Sequence, residues 1–533
     1  MKCEVCNKEF EEQYFDVSQN KCILHSTKND TSEYENFDLQ LFSYLEHNKH
    51  DDMCKFKDIH FPSNYPITQN LNAHYTFESK EELENPKPVH LYFDKCHFIN
   101  SLILDNPFFI LKFEKCVFEK QYEHIISNET KFIKCTFDEY VYQNISEDKT
   151  KISNFLFFDC GFTSINFTGA HFTEKLFKFT SQNEYYKITE LNLINCEFDK
   201  DIIFNSTREE GYSTHFKITS LDFSESTFKG KVKIQFCEIE NAIFYNTKFK
   251  DLADFYQSKF KKVDFERTDF EKISVFSETE FLCNVDFKYT KFLGKSIFRD
   301  TTITGILNLR NSIFDDEANF LDITSKTRDK DTETKEFIGE VNNIQVANRE
   351  TARVIKNFYD TNNNIIEANK FYALEMEERE KELQQNKTKS FTSFIEWLVF
   401  KAHKVSSNHS QDWLLTLLWM LAITFVFEVL RKNTYCSNDM ILLFLLTNAS
   451  LILLGILFIC ILPLSLKWYL CLVSVSIPFL TRITFEDFAN LINPFSIMTG
   501  GEKLTFSMLI YKIIIAYLIY QFIISVRQNT RRK

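Results

Sequence analysis

The apolar positions between Phe244 and Phe320 keep a beat that neither a helix nor an ordinary strand produces. Aromatic residues fall at Phe244, Phe249, Phe255, Phe260, Phe265, Phe270, Phe276, Phe281, Phe287, Phe292 and Phe298, and the beat continues through Ile303, Leu309, Phe314 and Phe320. From Phe265 the steps alternate five, six, five, six, so two beats make a period of eleven. A helix repeats near 3.6 residues and a strand at 2, whereas a longer fixed period marks stacked repeats. Two places before nearly every beat stands a small or β-branched residue, as at Thr247, Ser258, Thr268, Thr279, Thr290 and Thr301. The pattern predicts a solenoid in which each rung contributes one short and one large side chain to a narrow interior.

Upstream the unit recurs with cysteine in the short position: Cys96-x-Phe98, Cys116-x-Phe118, Cys135-x-Phe137, Cys160-x-Phe162, Cys196-x-Phe198 and Cys237-x-Ile239. The first three centres lie twenty and nineteen residues apart, so their sulfurs are predicted to stack on one face. None of these six belongs to a C-x-x-C pair, and buried thiols pack as small hydrophobes, which is the reading adopted over metal or redox chemistry. About ten coils at ~4.8 Å each would make a rod roughly 50 Å long. This rhythm resembles the pentapeptide-repeat family, with phenylalanine in place of the commoner leucine. The resemblance implies a right-handed, four-sided β-helix whose central and preceding small residues point inward. The alternating sixth residue implies one widened corner per pair of beats. The fold class expected is therefore a mainly β solenoid over residues 91–325.

Beyond Ile323 the beat stops, and Thr324 to Lys335 reads as a charged loop. Ile344, Ala347, Thr351, Val354, Ile355 and Phe358, then Ile365, Ala368, Phe371, Tyr372, Met376, Arg379 and Leu383, recur at helical spacing around the turn Asp360–Asn364. They predict a helical hairpin over 326–390 that caps the last coil, as solenoids require, with Glu375–Glu382 as a solvated face. Residues 391–411 join Phe391, Phe394, Trp397 and Leu398 to Lys401, His403 and Lys404, the composition of a helix lying in a bilayer interface. Residues 412–533 are strongly apolar and predict a transmembrane bundle with spans at about 413–430, 441–462, 465–480 and 506–526. Arg527, Arg531, Arg532 and Lys533 set the C-terminus in the cytosol, and an even span count puts the N-terminus there too.

Between the last two spans, Glu486, Asp487, Asn490, Asn493, Thr499, Gly500 and Gly501 follow a short amphipathic pattern. The order span, half-helix, turn, span resembles the pore module of small cation channels, although the T-V-G-Y-G filter is absent. The run Ser406–Trp413 and the basic tail are similar to bacterial membrane proteins that join pentapeptide repeats to a channel-like domain. That resemblance implies a pore loop at 482–504 and ions as partners, in competition with a plain external loop. Glu428 is the one carboxylate noted inside a span, and Lys432 four residues on offers it an ion pair.

Composition changes the picture at the N-terminus. Cys3, Cys6, Cys22 and His25 form C-x-x-C, fifteen residues, then C-x-x-H, the spacing by which two tight turns close four ligands on structural zinc. Residues 1–30 are thus read as a zinc-ribbon-like knuckle and 31–90, with Pro62, Pro66, Pro86 and Pro88, as a connector. Polar, cysteine-bearing residues 1–30 are unlike a signal peptide, and fourteen cysteines then point to reduced thiols. The location expected is the cytoplasmic (inner) membrane, multi-pass, with both termini cytosolic. The net charge of −12 prompts comparison with repeat proteins that imitate DNA. Between Asn241 and Ile323, however, twelve basic residues face fourteen acidic ones, too even a balance for a phosphate-like field. No basic cluster suits nucleic acid either. No phosphate loop, nucleophile elbow or H-E-x-x-H is present, so no catalysis is expected. The function expected is a membrane-anchored scaffold whose coils bind a protein partner or a further copy of the chain; the alternative is a subunit of an oligomeric ion channel.

Overall fold

Each ring of the beat lies over the ring one coil below. Phe244, Phe265 and Phe287 stack at 4.7 and 4.8 Å between centroids. Phe249, Phe270, Phe292 and Phe314 stack at 5.1, 5.2 and 4.6 Å. Phe255, Phe276, Phe298 and Phe320 follow at 5.2, 4.8 and 5.0 Å, and Phe260 lies 5.5 Å from Phe281. Partners in a column are 21 or 22 residues apart, so four beats make one coil and the four columns are its four sides. The backbone of each side pairs in parallel with the next coil, as Lys248–Phe249 with Asp269–Phe270 and Ala253–Asp254 with Ser274–Val275.

The computed structural model describes residues 1–28, 35–50, 53–63, 89–99, 109–123, 129–144, 148–180, 185–205, 208–209, 212–213, 215–328, 337–341, 344–386, 388–433, 485–499 and 505–530. They fall into two units, Met1–Thr351 and Ala352–Lys533.

Two kinds of corner explain the alternation of five and six. From Phe265 on, each five-residue step holds a residue with left-handed φ: Arg267 at 59°, Glu278 at 54°, Tyr289 at 57°, Asp300 at 56° and Asn311 at 57°. Each occupies the third place of a turn closed by the short residue after it, as Thr268 N to Phe265 O at 3.1 Å; positive φ there is the type II arrangement. The six-residue steps bend without such a residue, and coils touch backbone to backbone there. A Cβ added to Gly294 would lie 2.6 Å from the Lys272 carbonyl carbon, and one on Gly305 2.4 Å from that of Cys283.

The short inward residue does more than fit. Thr268 Oγ1 donates to Phe244 O at 2.8 Å, Thr290 to Phe265 O at 2.7 Å, Thr279 to Phe255 O at 2.8 Å and Thr301 to Phe276 O at 2.7 Å. Each buried hydroxyl is thereby satisfied by a carbonyl of the coil before. Cysteine takes the same role upstream: Cys116, Cys160, Cys196 and Cys237 donate to Phe93 O, Phe132 O, Phe167 O and Phe204 O at 3.4 to 3.5 Å. Only four sulfurs form the expected stack, Cys96, Cys116, Cys135 and Cys160, whose following residues pair in register. Cys196 lies in a second sheet, because the chain between Cys160 and Cys196 passes through an additional side before the next short position. Burial pushes the thiols of Cys96 and Cys135 well above the ordinary range and that of Cys196 to about 11, so these are packing groups rather than nucleophiles.

The ladder starts earlier than the sequence suggests. Met53–Lys57 pairs in parallel with Val89–Asp94, and His60–Phe61 with His97–Phe98, so the stretch read as a connector contains the first coil. It also contains a helix, α1 (Glu35–Asn48), whose Phe37 meets Phe61 edge-on at 6.0 Å. The N-terminal knuckle joins the same coil: His60 N donates to Leu24 O at 2.9 Å. Knuckle and helix cover a layer whose outer edge would otherwise be bare.

At the other end Gln345–Val346 pairs with Ile306–Leu307, and the expected loop after Thr324 includes a strand, Ser325–Arg328, antiparallel to Phe337–Val341. Helix α2 (Arg349–Thr361) begins here, and its first turn bonds the last coils. Leu309 N donates to Thr351 Oγ1 and Asn311 N to Glu350 Oε1, both at 2.9 Å. Thr351 is fully buried, so Thr351→Ala strands the Leu309 amide and is expected to destabilise this end by about 1–3 kcal/mol. A lowered denaturant midpoint would show it; Thr351→Ser should restore the unaltered value.

The second unit is helical: the rest of α2, α3 (Ile365–Asn386), α4 (Phe391–Ser407), α5 (Trp413–Asn433), α6 (Phe485–Ile492) and α7 (Phe506–Thr530). The hairpin is present, with Tyr359 stacked on Phe371 at 5.6 Å. Its acidic face is not simply solvated. Glu375 and Glu380 are buried, and each takes two cations: Arg353 and Lys356 at 2.9 and 2.8 Å, Lys401 and Lys404 at 3.0 and 2.7 Å. Burial raises both carboxyls, and the paired cations outweigh it, holding them below the usual carboxylate range. Among the described residues one helix is long and apolar enough to cross a membrane, Phe506–Gln528, and Trp413–Thr424 is a shorter apolar stretch. The spans read at 441–462 and 465–480 lie outside the described residues.

Candidate functional site

Two tight turns bring the four N-terminal ligand residues together. Cys3 O accepts from Asn7 N at 2.9 Å, with Asn7 at φ 56°, and Cys22 O accepts from His25 N and Ser26 N at 3.0 Å. A short antiparallel pair, Phe15–Asp16 with Lys21–Cys22, sets the distance between the turns. The ligand atoms of Cys3, Cys6, Cys22 and His25 all lie within 4.8 Å of one another. His25 Nδ1 is 2.9 Å from Cys22 Sγ and 3.7 Å from Cys3 Sγ. Tetrahedral zinc, with bonds of 2.3 Å to sulfur and about 2.0 Å to nitrogen, separates such pairs by about 3.5 Å. Cys3, Cys22 and His25 are buried and Cys6 is half-buried, so a metal held by all four would have no place left for water.

Electrostatics differ among the sulfurs. Burial pushes Cys22 up to about 12 and also raises Cys6. At Cys3 burial works upward too, but backbone N–H groups of Cys22, Cys6 and Val5 outweigh it and leave that thiol below its ordinary value. Burial lowers His25 below the ordinary imidazole range, against the opposing influence of the Lys57 backbone and the Asp58 carboxylate.

A second group of ligand-type residues was not legible as such: His171, Glu197 and Asp199 meet across neighbouring coils because His171 pairs with Glu197. Lys229 from the next coil already bonds both carboxylates, at 2.8 Å to Asp199, and His171 Nε2 is 3.1 Å from Asp199. The group is a surface ion network.

Of the residues read as a pore loop, Glu486, Asp487 and Asn490 lie on α6 and Asn493 follows it, ahead of a 3-10 turn, Pro494–Thr499. The carbonyls of Asn490 and Asn493 accept from Lys512 Nζ at 2.7 and 2.8 Å, a residue the sequence reading passed over. The side chains of Glu428, Glu486, Asp487 and Thr499, and the whole of Gly500 and Gly501, lie outside the described residues.

Comparison with known proteins bears on the coils alone. The family model for pentapeptide repeats (9 copies) matches residues 244–291 and 265–313. No curated protein and no solved structure matches the chain. The matched stretch is the one in which rings stack every 21 or 22 residues on four sides: residues 244–313 match the model for pentapeptide repeats and are wound here on phenylalanine.

Proposed function

We propose that this chain is a non-enzymatic bacterial protein, anchored in the cytoplasmic membrane through its C-terminal unit, whose coils present a docking surface to a protein partner. Its N-terminal knuckle holds one structural zinc through Cys3, Cys6, Cys22 and His25. The observation carrying this reading is how the solenoid's interior is used: inward positions hold stacked rings and short side chains, the threonines among them bonded to the coil before, leaving the outer faces for recognition. Catalytic constellations gain no support from the ligand clusters, one of which is a closed donor set and the other an ion network.

Anchoring is supported by α7, which exposes Ile513, Tyr520 and Ile523 at 61, 60 and 58 %, and by α4, which exposes Phe391 and Val399 at 78 and 61 %. Large apolar side chains left bare along helices mark a face that water does not suit. Cells expressing the full chain should retain it in the membrane pellet after alkaline carbonate washing. Release with the peripheral proteins would refute the anchor, and Ile513→Asp with Ile523→Asp should cause that release.

A further inference from the structure

Lys512 is a charged residue in α7, the one described helix long and apolar enough to cross a membrane. It lies six residues after Phe506, about 9 Å along α7, and is 3 % exposed. Its ammonium donates to Asn490 O at 2.7 Å, Leu491 O at 2.8 Å and Asn493 O at 2.8 Å. An ammonium has three donors, and here three carbonyls take them. Those carbonyls come from the end of α6, where a helix leaves its last C=O groups without internal partners and carries partial negative charge. A buried ammonium is tolerated when its N–H groups are bonded, and three backbone carbonyls bond them here.

We propose that the C-terminal end of α6, with the Asn493 carbonyl, is a binding site for a primary ammonium group, filled from within the chain by Lys512. The filled site is what holds Phe485–Thr499 against α7. The packing around it is otherwise modest: Leu491 joins Met508, Tyr511 and Ile515 in a small apolar cluster. Tyr511 donates to Thr424 Oγ1 at 2.9 Å, tying α7 to α5, while its contact with α6 is longer, 3.5 Å to Leu491 O. Three charge-assisted bonds therefore outweigh what remains. The site lies within one unit and does not rest on the membrane reading.

Amide hydrogen exchange on the full chain in detergent micelles tests this, with peptides from Phe485–Thr499 as the readout and peptides around Phe276 as the folding control. Lys512→Met is expected to speed exchange in Phe485–Thr499 at least about tenfold while leaving the control unchanged. In Lys512→Ala, which lacks three carbons and the nitrogen, n-propylammonium should restore protection. Tetramethylammonium, with the same charge and no N–H, should not. Unchanged exchange in Lys512→Met overturns the proposal, as does equal rescue by the two cations. If Lys512→Met also loses protection in the control, Lys512→Arg decides: it keeps charge and donors, so retained protection in Phe485–Thr499 supports the site and lost protection overturns it. Carbonate washing of the same variants reads the anchor separately.

Discussion

Phe276→Ala is expected to destabilise the solenoid by about 3–5 kcal/mol, the largest effect of any single side chain in it. Phe276 is fully buried and lies 5.2 Å from Phe255 below and 4.8 Å from Phe298 above. It also meets Phe265 and Phe287 edge-on at 5.5 and 5.6 Å, so its loss opens a cavity shared by three layers. The neighbouring coils cannot close around that cavity, because hydrogen-bonded ladders fix their separation at ~4.8 Å. Each layer touches only those beside it, so the damage should be local, with exchange protection falling most near residues 255–298. Phe276→Leu keeps much of the volume and should cost less than half as much. An unfolding midpoint unmoved by Phe276→Ala would mean that the ring column is not the core.

Cys22→Ala is expected to empty the N-terminal knuckle. Purified full chain should carry one zinc by elemental analysis, and the variant less than about a tenth of that, because structural sites draw about 10–16 kcal/mol from a complete ligand set. The change should also reach the coils. Leu24 O, beside His25, accepts from His60 N at 2.9 Å, so loss of the metal loosens what covers the first layer. Faster amide exchange in Met53–Lys57, with residues 255–298 unaffected, is the expected signature. A chain prepared without chelators and found free of zinc would remove the metal from the proposal, and with it this effect.

Where the beat is unbroken, the sequence shows its period and its inward residues, since one spacing error would turn a ring toward water; the four sides came from the family resemblance and stand in the ring columns. It hides the first coil. Cys54-x-Phe56 and Ile59-x-Phe61 carry the same short-then-large pair as Cys96-x-Phe98, but 27 residues separate Phe61 from Val89, and no rhythm survives so long an excursion. That Cys3, Cys6, Cys22 and His25 come together was legible because tight turns fix their spacing locally. Their attachment to the coil was not, because it runs through the backbone carbonyl of Leu24, which any side chain supplies equally. Lys512 escaped notice for a related reason. A lone cation in an apolar run looks like an exception until the carbonyls twenty residues away are seen to surround it.

The alternation of a tight left-handed turn with a looser bend also sets how such a chain lengthens. Copying 22 consecutive residues from within 265–309 adds one complete storey, with rings above rings and the threonines two places before a beat still facing carbonyls beneath. An insertion that is not a whole coil of 21 or 22 residues survives only as a bulge thrown out from a corner. Growth by whole storeys, with elaboration confined to the outer rim, lets the outer surface lengthen or acquire new loops while the axis stays as it was.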